Sequence, residues 1–510
     1  MLALRRLNNF QKLYKFNKNI NILPFQKTNY YNNLNFKLTY QMGLDINDFR
    51  KEKGGDPEKI KESQRRRYAK VELVDEVVAL DEEWRKSQYN YEQARKELRI
   101  VQTAIGERKK KDKTDACEDL LAEKAKFEEK IKALEVESSE KKEKLEVTLK
   151  KIGNIVHDSV VVHNNEDFNG VVRTWGDDIK RVIKIDETPG AAHHHQILYM
   201  LDGFDQKRGQ KIAGHRGYFL KNYGVLLVQA LCTFGQQFLM KKGYCPMYTP
   251  FFMKKDVMGE TCQLSDFDEQ LYKVDSTSVM HAEEQKTLNE DKEKYLIATS
   301  EQPISAYHSS EWIDSKDLPL RYAGLSTCFR KEAGAAGRET WGVYRVHQFE
   351  KVEQFVLCKP EDSWDELERM IKISEEFMQE LGLPYRVVNI VSGALNDAAA
   401  KKYDLEAWFP GYGQYKELVS CSNCTDFQSR GLNVTTGEVI PGKKDGDKGN
   451  EKKFVHMLNG TLCAAQRTLT CILENYQEKD GVRVPKCLVP FVGTDFLPYK
   501  LPMPKKTEFQ

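Results

Sequence analysis

Between Phe329 and Phe355 the chain reads FRKEAGAAGRETWGVYRVHQFEKVEQF. This pattern predicts two extended segments joined by a glycine-bearing loop. Alternate side chains of a strand share a face. Arg345, His347, Phe349, Glu353 and Phe355 are therefore expected to line one surface of the second segment, and Arg330 and Glu332 a face of the first. The loop holds Gly334, Gly337, Arg338 and Gly342, the make-up of a mobile flap carrying a cation. Arginines, a histidine, carboxylates and an aromatic ring on one sheet face are poor core material, because unpaired charge is costly to desolvate. The set suits a nucleotide: arginine for phosphate oxygens, a phenylalanine ring under a base, carboxylates for an amine or a metal.

Elements on either side must hold this stretch in place. In 217–255 the spacing of Leu226, Leu227, Ala230, Leu231, Phe234 and Phe238 predicts a helix with an apolar stripe, closed by Lys241, Lys242 and Gly243 and followed by a strand. That stripe fits a dimer interface and an ordinary core equally well. Leu462, Ala465, Leu469, Ile472 and Tyr476 mark a second helix entered from a strand, with Arg467 off its apolar face. Residues 153–220 read as a loop-rich joint. His193, His194 and His195 would point to opposite faces of a strand, with no carboxylate or cysteine pattern beside them, so a metal site is not expected there.

The chain has 510 residues, enough for two or three domains, with 40% hydrophobic and 31% charged residues. The net charge of +2 predicts no polyanion partner in bulk, so any nucleic-acid surface must come from local clustering. Eleven cysteines are scattered and read as reduced thiols. Cys421 and Cys424 lack the second pair that a zinc ribbon needs, so zinc is not expected. No apolar run reaches about 20 residues, and no membrane span is expected.

From about Tyr68 to Ile152 the composition changes to charged helix formers. Val77, Trp84, Tyr91, Leu98 and Ile105 recur every seven residues, and Leu73, Leu80, Ser87, Ala94 and Val101 do so in the complementary position. Leu120, Phe127 and Leu134, with Cys117, Ile131, Leu145 and Ile152, mark a second helix interrupted by Lys124, Ser138 and Lys141. The break between Gly106 and Asp115 permits only a hairpin, so the pair should run antiparallel as an arm. Its tip is basic, at Arg108, Lys109, Lys110, Lys111 and Lys113; such charge is by itself a solvated face. Residues 1–41 stand apart, with Arg5, Arg6, Lys12, Lys15, Lys18, Lys27 and Lys37 and no acid. They read as a mitochondrial presequence or as an untranslated or disordered leader.

Phe329-Arg330-Lys331-Glu332, followed by Arg345-Val346-His347-Gln348-Phe349, resembles motif two of class II aminoacyl-tRNA synthetases. The fuller VHQFEKVEQF is similar to the seryl-tRNA synthetase family, of eukaryotic cytosolic type. TSEQPISAYH from Thr299, ELVSCSNCTDFQSRG from Glu417 and LNGTLCAAQR from Leu458 also resemble family segments, in the family's order. The resemblance runs from about residue 42 to the C-terminus. It implies an α+β fold: a catalytic domain on an antiparallel β-sheet, preceded by a long antiparallel two-helix coiled-coil arm. The implied division is a 1–41 extension, a 42–160 arm domain, a 161–500 catalytic domain and a 501–510 basic tail.

The resemblance further implies a serine–tRNA ligase that makes seryl-adenylate from L-serine and ATP with Mg²⁺. It would then charge tRNA(Ser), and tRNA(Sec) where one exists, as a cytoplasmic homodimer. Arg330 would bridge the serine carboxylate and the ATP α-phosphate. Glu332 would accept from the adenine amino group and Phe349 would stack under the purine, with Lys331, Val346, His347 and Gln348 beside them. Arg467 would cover the other face near the γ-phosphate. Glu417, Leu418, Val419 and Ser420 would bound the phosphates, with Glu417 and Ser420 holding Mg²⁺. Thr299, Glu301 and Glu353 would take the ammonium and hydroxyl of serine, and Asn459 and Thr461 would line the same end. The basic tip from Arg108 to Lys113 would meet tRNA. Two rivals stand beside this. A synthetase for threonine, proline or histidine would carry an anticodon-binding domain where only about forty residues follow Arg467. A non-catalytic relative would be expected to lose Arg330, Glu332, Glu417 and Arg467, all present here.

Overall fold

A computed structural model describes residues 43–182, 188, 190–262, 270–274, 293–332, 337–437 and 453–504. Expectations for residues 1–41, Gly334 and the end of the tail lie outside these residues.

The heptad pattern becomes two long helices, α1 (Glu72–Lys111) and α2 (Glu118–Leu149), packed side by side. Val77, Leu80, Ser87, Ala94 and Val101 are buried along the seam at the spacing read from sequence. Forty residues at ~1.5 Å each make α1 about 60 Å long. Ser138, an apparent break in the seam, is buried and donates to Gln88 Oε1 at 3.0 Å. The turn is shorter than expected. The helix continues through Gly106 to Lys111, because one glycine costs only about 1 kcal/mol and 107–111 are strong helix formers with cations suited to a C-terminal end. Arg108 therefore closes a helix and is held by Asp119 at 2.7 Å and Asp115 at 3.4 Å. Lys109, Lys110, Lys111 and Lys113 are exposed.

The base of the arm is fastened to the body through backbone carbonyls. Buried Arg67 donates to the carbonyls of Asn154, Asn396 and Ala399 at 2.8, 3.1 and 2.5 Å. Its burial pulls the guanidinium down to about 10. Asn154 Nδ2 in turn donates to Ala398 O, Cys424 O and Thr425 Oγ1 at 2.8 to 2.9 Å.

The body is built on eight strands: β1 (Gly170–Trp175), β2 (Cys245–Tyr248), β3 (Leu320–Phe329), β4 (Gln348–Cys358), β5 (Tyr385–Asn389), β6 (Lys401–Phe409), β7 (Gln414–Asn423) and β8 (His456–Ala464). Their order is β1-β5-β6-β7-β8-β4-β3-β2. All neighbours are antiparallel except β2 and β3, which are parallel. The helices that bear on the site are α3 (His194–Met200), α4 (Asn222–Lys241), α5 (Glu301–Ser305), α6 (Ser363–Glu380), α7 (Phe427–Leu432) and α8 (Ala465–Tyr476). Leu227 and Leu231 of α4, Met370 and Phe377 of α6, and Leu469 and Ile472 of α8 pack with Val352 and Val356 of β4 in one core. Gln354, on that same face of β4, donates to Ser374 Oγ of α6 at 2.9 Å. The opposite face of β4 is thereby left for Phe349, Lys351 and Glu353. Sheet alternation, with one face buried against helices, dictates this split.

Several expectations are corrected. The first extended segment ends at Phe329, and Glu332 adopts a left-handed φ of 46°. The second begins at Gln348, so Arg345 and His347 are placed by the loop and not by strand alternation. Phe355 is fully buried with Ile304, Ile313 and Leu357, closing one end of the face instead of lining an open surface. The histidine run starts a helix, and Glu474, distant in sequence, supplies its carboxylate: His194 Nδ1 lies 2.8 Å from Glu474 Oε1. α4 is, by length and composition, apolar enough to cross a bilayer; here its Leu227, Val228, Leu231 and Leu239 are buried in the core.

Candidate functional site

The front face of β4 and its neighbours forms the floor of an open cleft. Arg330, Glu332, Val346, Phe349, Lys351, Glu417, Leu418, Thr461 and Arg467 line it. Arg330 follows directly on β3. Its Cζ lies 5.3 Å from the centre of the Phe349 ring, and its Nε donates to Ala298 O at 3.3 Å. Arg467, on the first turn of α8, has its Cζ 5.1 Å from the centre of the Tyr344 ring. Arg467 Nη1 donates to Glu417 O at 3.3 Å and lies 4.0 Å from the Glu417 carboxylate. Each arginine thus sits over an aromatic ring in the lining of the cleft. Glu332 pairs with Arg345, which also reaches Glu339 at 3.0 Å.

A deeper polar recess adjoins the floor. Glu353 is buried, pairs with Lys351, and accepts a long bond from Thr299 Oγ1 at 3.4 Å. Glu301, the first residue of α5, accepts from Gln428 Nε2 at 2.9 Å and from Asn459 Nδ2 at 3.0 Å. Burial, reinforced by the nearby Glu353 charge, raises the Glu301 carboxyl to about 7. Two carboxylates, a threonine and an asparagine clustered beside the cleft can hold a small ligand bearing an ammonium and a hydroxyl.

Two bulges aim the remaining donors. Between β4 and β8 the register shifts at Val352 and Glu353, so Thr461 and Ala464, three residues apart, both reach the cleft. Between β6 and β7 it shifts at Leu405 and Glu406, so Glu406 faces Glu417 while Asp404 faces Ser420. In a regular strand Glu417 and Ser420 would point to opposite faces; the extra residue returns them to one. Asp404 is buried opposite Ser420, and its Oδ1 has no hydrogen-bond partner. Burial raises its carboxyl to about 7, with the Glu417 charge adding to that and Lys402 and the Ser420 hydroxyl opposing it. A carboxylate, a hydroxyl and an orphaned carboxyl oxygen are hard donors that fit Mg²⁺ better than a soft metal. Among the described residues, no group of three His, Cys, Asp or Glu side chains could hold a metal alone. Cys421 and Cys424 are fully buried, and burial pushes both thiols up.

Some expected residues fall elsewhere. His347 and Gln348 line a second cavity with Arg216, Tyr218 and Tyr272; His347 Nδ1 contacts Arg330 O at 3.0 Å. Lys331, Val419 and Ser420 do not line the main cleft, and Val419 packs in the core. The described half of the flap is tied down: Arg338 Nη1 donates to Gly411 O at 3.4 Å, Tyr412 OH donates to Arg338 O at 3.0 Å, and His194 Nε2 lies 3.1 Å from Trp341 O. The sequence reading missed Lys351, Tyr344, Asp404 and Gln428. Lys351 has the parity of Phe349 and Glu353, a signal that was present in the sequence. Gln428 lies in the SNCTDFQSRG segment, where nothing local marks it as a partner of Glu301.

Comparison with known proteins adds identity to this geometry. The tRNA synthetase class II core domain (G, H, P, S and T) matches residues 272–476, and the seryl-tRNA synthetase N-terminal domain matches residues 44–156. A cytoplasmic serine–tRNA ligase of Dictyostelium discoideum is 51% identical over 465 residues, 91% of this chain and 97% of that protein. A crystal structure of the cytoplasmic serine–tRNA ligase of Naegleria fowleri in complex with AMP superposes with a TM-score of 0.75 at 46% identity, covering 91% of this chain and all of that one. The Pyrococcus horikoshii seryl-tRNA synthetase complexed with ATP gives 0.76 at 39% identity, over 90% and 100% of the two chains.

Proposed function

The chain belongs to the seryl-tRNA synthetase family, and we propose from this that it couples L-serine to tRNA in two steps on the β4 floor. In the first, the serine carboxylate attacks the α-phosphorus of ATP, a P–O bond forms, and pyrophosphate leaves with its electron pair. The nucleophile is already an anion, so no base is needed; alignment and charge neutralisation carry the rate. Arg330 binds the carboxylate and α-phosphate together with a planar fork. Phe349 and Arg467 hold the adenine between them, and Glu332 accepts from its amino group. Thr299, Glu301, Glu353, Asn459 and Thr461 hold the ammonium and hydroxyl of serine. Glu417 and Ser420 would hold Mg²⁺, which when bound offsets the charge of the phosphates. In the second step a ribose hydroxyl of the tRNA attacks the acyl carbon and AMP leaves.

The observation that carries this reading is the convergence of Arg330, Phe349 and Arg467 around one cleft beside the buried Glu301 and Glu353 recess. Amino-acid-dependent ATP–pyrophosphate exchange, run with each of the twenty amino acids, tests it. Serine alone should support exchange. Exchange with a different amino acid would indicate another class II enzyme, and none at all a non-catalytic relative.

The raised Glu301 carboxyl has a consequence for substrate binding. Below pH 7 it is protonated and cannot offer charge to the ammonium. The apparent KM for serine should therefore fall as pH rises through about 7, by up to tenfold per unit below that point, and Glu301→Gln should flatten the profile. A wild-type KM independent of pH between 6 and 8 would contradict this role.

The same reading extends to parts of the molecule away from the cleft. The 42–160 arm, with Lys109, Lys110, Lys111 and Lys113 at its tip, grips the backbone of tRNA(Ser), and of tRNA(Sec) where the organism has one. The 161–500 catalytic domain pairs with a second copy as a homodimer. The enzyme works in the cytosol, and residues 1–41 direct a second form to mitochondria. A reporter fused to residues 1–45 should be imported; a wholly cytosolic signal would contradict the mitochondrial form.

A further inference from the structure

Lys351 lies between Phe349 and Glu353 on the front face of β4 and lines the cleft with Arg330 and Thr461. Its side chain is 7% exposed, and its Nζ pairs with Glu353, whose side chain is 3% exposed. An isolated charge at such depth is costly, so each group needs a partner. Glu353 is also one of the two carboxylates, with Glu301, that the proposed function places at the substrate ammonium and hydroxyl. Two ammonium groups cannot both lie close against one buried carboxylate without strong repulsion. The opposite end of the same substrate is an anion, and it must be brought against a second anion, the α-phosphate. Lysine has a flexible four-carbon stem and three rotatable donors, so it can move from one oxygen to another without losing its charge.

We propose that Lys351 changes partner as the amino acid binds. It releases Glu353 to the incoming ammonium and turns its own ammonium to the substrate carboxylate beside Arg330. This inference rests on the serine–tRNA ligase reading. It makes Lys351 a second cation at the reacting carboxylate and the occupant that serine must displace from Glu353. The charge of the recess is then conserved: one ammonium replaces another at Glu353, and the displaced one meets the negative charge that arrived with it.

Serinol, which has the ammonium and hydroxyl of serine but no carboxylate, separates the two halves of this exchange. Lys351→Gln keeps a hydrogen-bond donor next to Glu353 and removes the charge. In that variant the kcat/KM for serine in pyrophosphate exchange should fall about 100-fold, the scale of losing one charge-stabilising donor. The inhibition constant of serinol should instead improve severalfold, because its competitor for Glu353 has gone. Lys351→Arg should recover much of the serine activity if the variant needs only a cation there. A purely structural Lys351 would weaken serine and serinol together. That parallel loss, or serine exchange within twofold of wild type in Lys351→Gln, overturns the proposal. Thermal unfolding of each variant identifies one that fails to fold, and if Lys351→Gln does, the uncharged Lys351→Met, close to lysine in length, gives the same serine-to-serinol comparison. If the wild-type chain neither exchanges with serine nor is inhibited by serinol, the underlying reading of function falls, and this inference with it.

Discussion

Arg330→Ala should lower serine-dependent pyrophosphate exchange by about 10³-fold, within the range for removing a cation from a phosphoryl-transfer site. The folded state should hardly change. In the structure Arg330 gives one 3.3 Å bond to Ala298 O and rests over Phe349 at 5.3 Å, interactions worth about 1 kcal/mol at a partly exposed site. The floor beneath it is secured without it, through β3 to β4 pairing from Leu320 to Phe329 and the packing of Val352 and Val356 on the helices. Lys at this position keeps the charge but loses the planar fork, so Arg330→Lys should fall between the two, closer to alanine. Exchange and thermal unfolding measured on the same preparations decide the matter. Near-normal exchange in a folded Arg330→Ala protein would remove Arg330 from its assigned role.

The second large effect concerns the arm. Excising residues 89–137 and rejoining Gln88 to Ser138 with a short turn should leave pyrophosphate exchange within about twofold of wild type. The kcat/KM for tRNA charging should fall by about 10² or more, because the lysines proposed to neutralise phosphates leave with the tip. The cut falls where Ser138 already bonds Gln88 across the seam. What remains is the packed root: Val74, Val77, Leu80, Leu145 and Leu149 with Phe49, Ile60 and Ile152. The Arg50 to Asp81 pair and the Arg67 to Asn154 network also stay intact. A milder version replaces Lys109, Lys110, Lys111 and Lys113 by alanine. That should reduce the dependence of tRNA affinity on salt, by close to one in log–log slope for each phosphate left without its lysine. Undiminished charging by the shortened protein would refute the arm's role in tRNA selection.

Periodicity and residue type carried a large part of this structure. The heptads of α1 are a local property, since each turn repeats the same demand, and their buried positions match the sequence spacing. The apolar stripe of α4 and the strand-to-helix passage into α8 are local in the same sense. The shared face of Phe349 and Glu353 was legible because strand alternation is local; Arg330, just after β3, and Arg467, on α8, were singled out by residue type and by the family resemblance. The 106–115 break was misplaced for an equally local reason: one glycine is a weak helix breaker among strong formers.

The pairings between segments far apart in the chain were decided elsewhere. Glu417 and Ser420 share a face only because β7 carries one more residue than β6 opposite it, and that mismatch exists in the pairing, not in either strand alone. Glu301 finds Gln428 and Asn459, and His194 finds Glu474, across more than a hundred residues in each case. Lys351 and Glu353 share a face by alternation alone, but only the surrounding chain buries the pair. By itself, then, the amino-acid order determined which groups are available and which helices and strands carry them, because spacing acts over a turn or a pleat. Tertiary structure decided which of those groups meet, because register, bulges and burial depend on chains that approach one another only after folding.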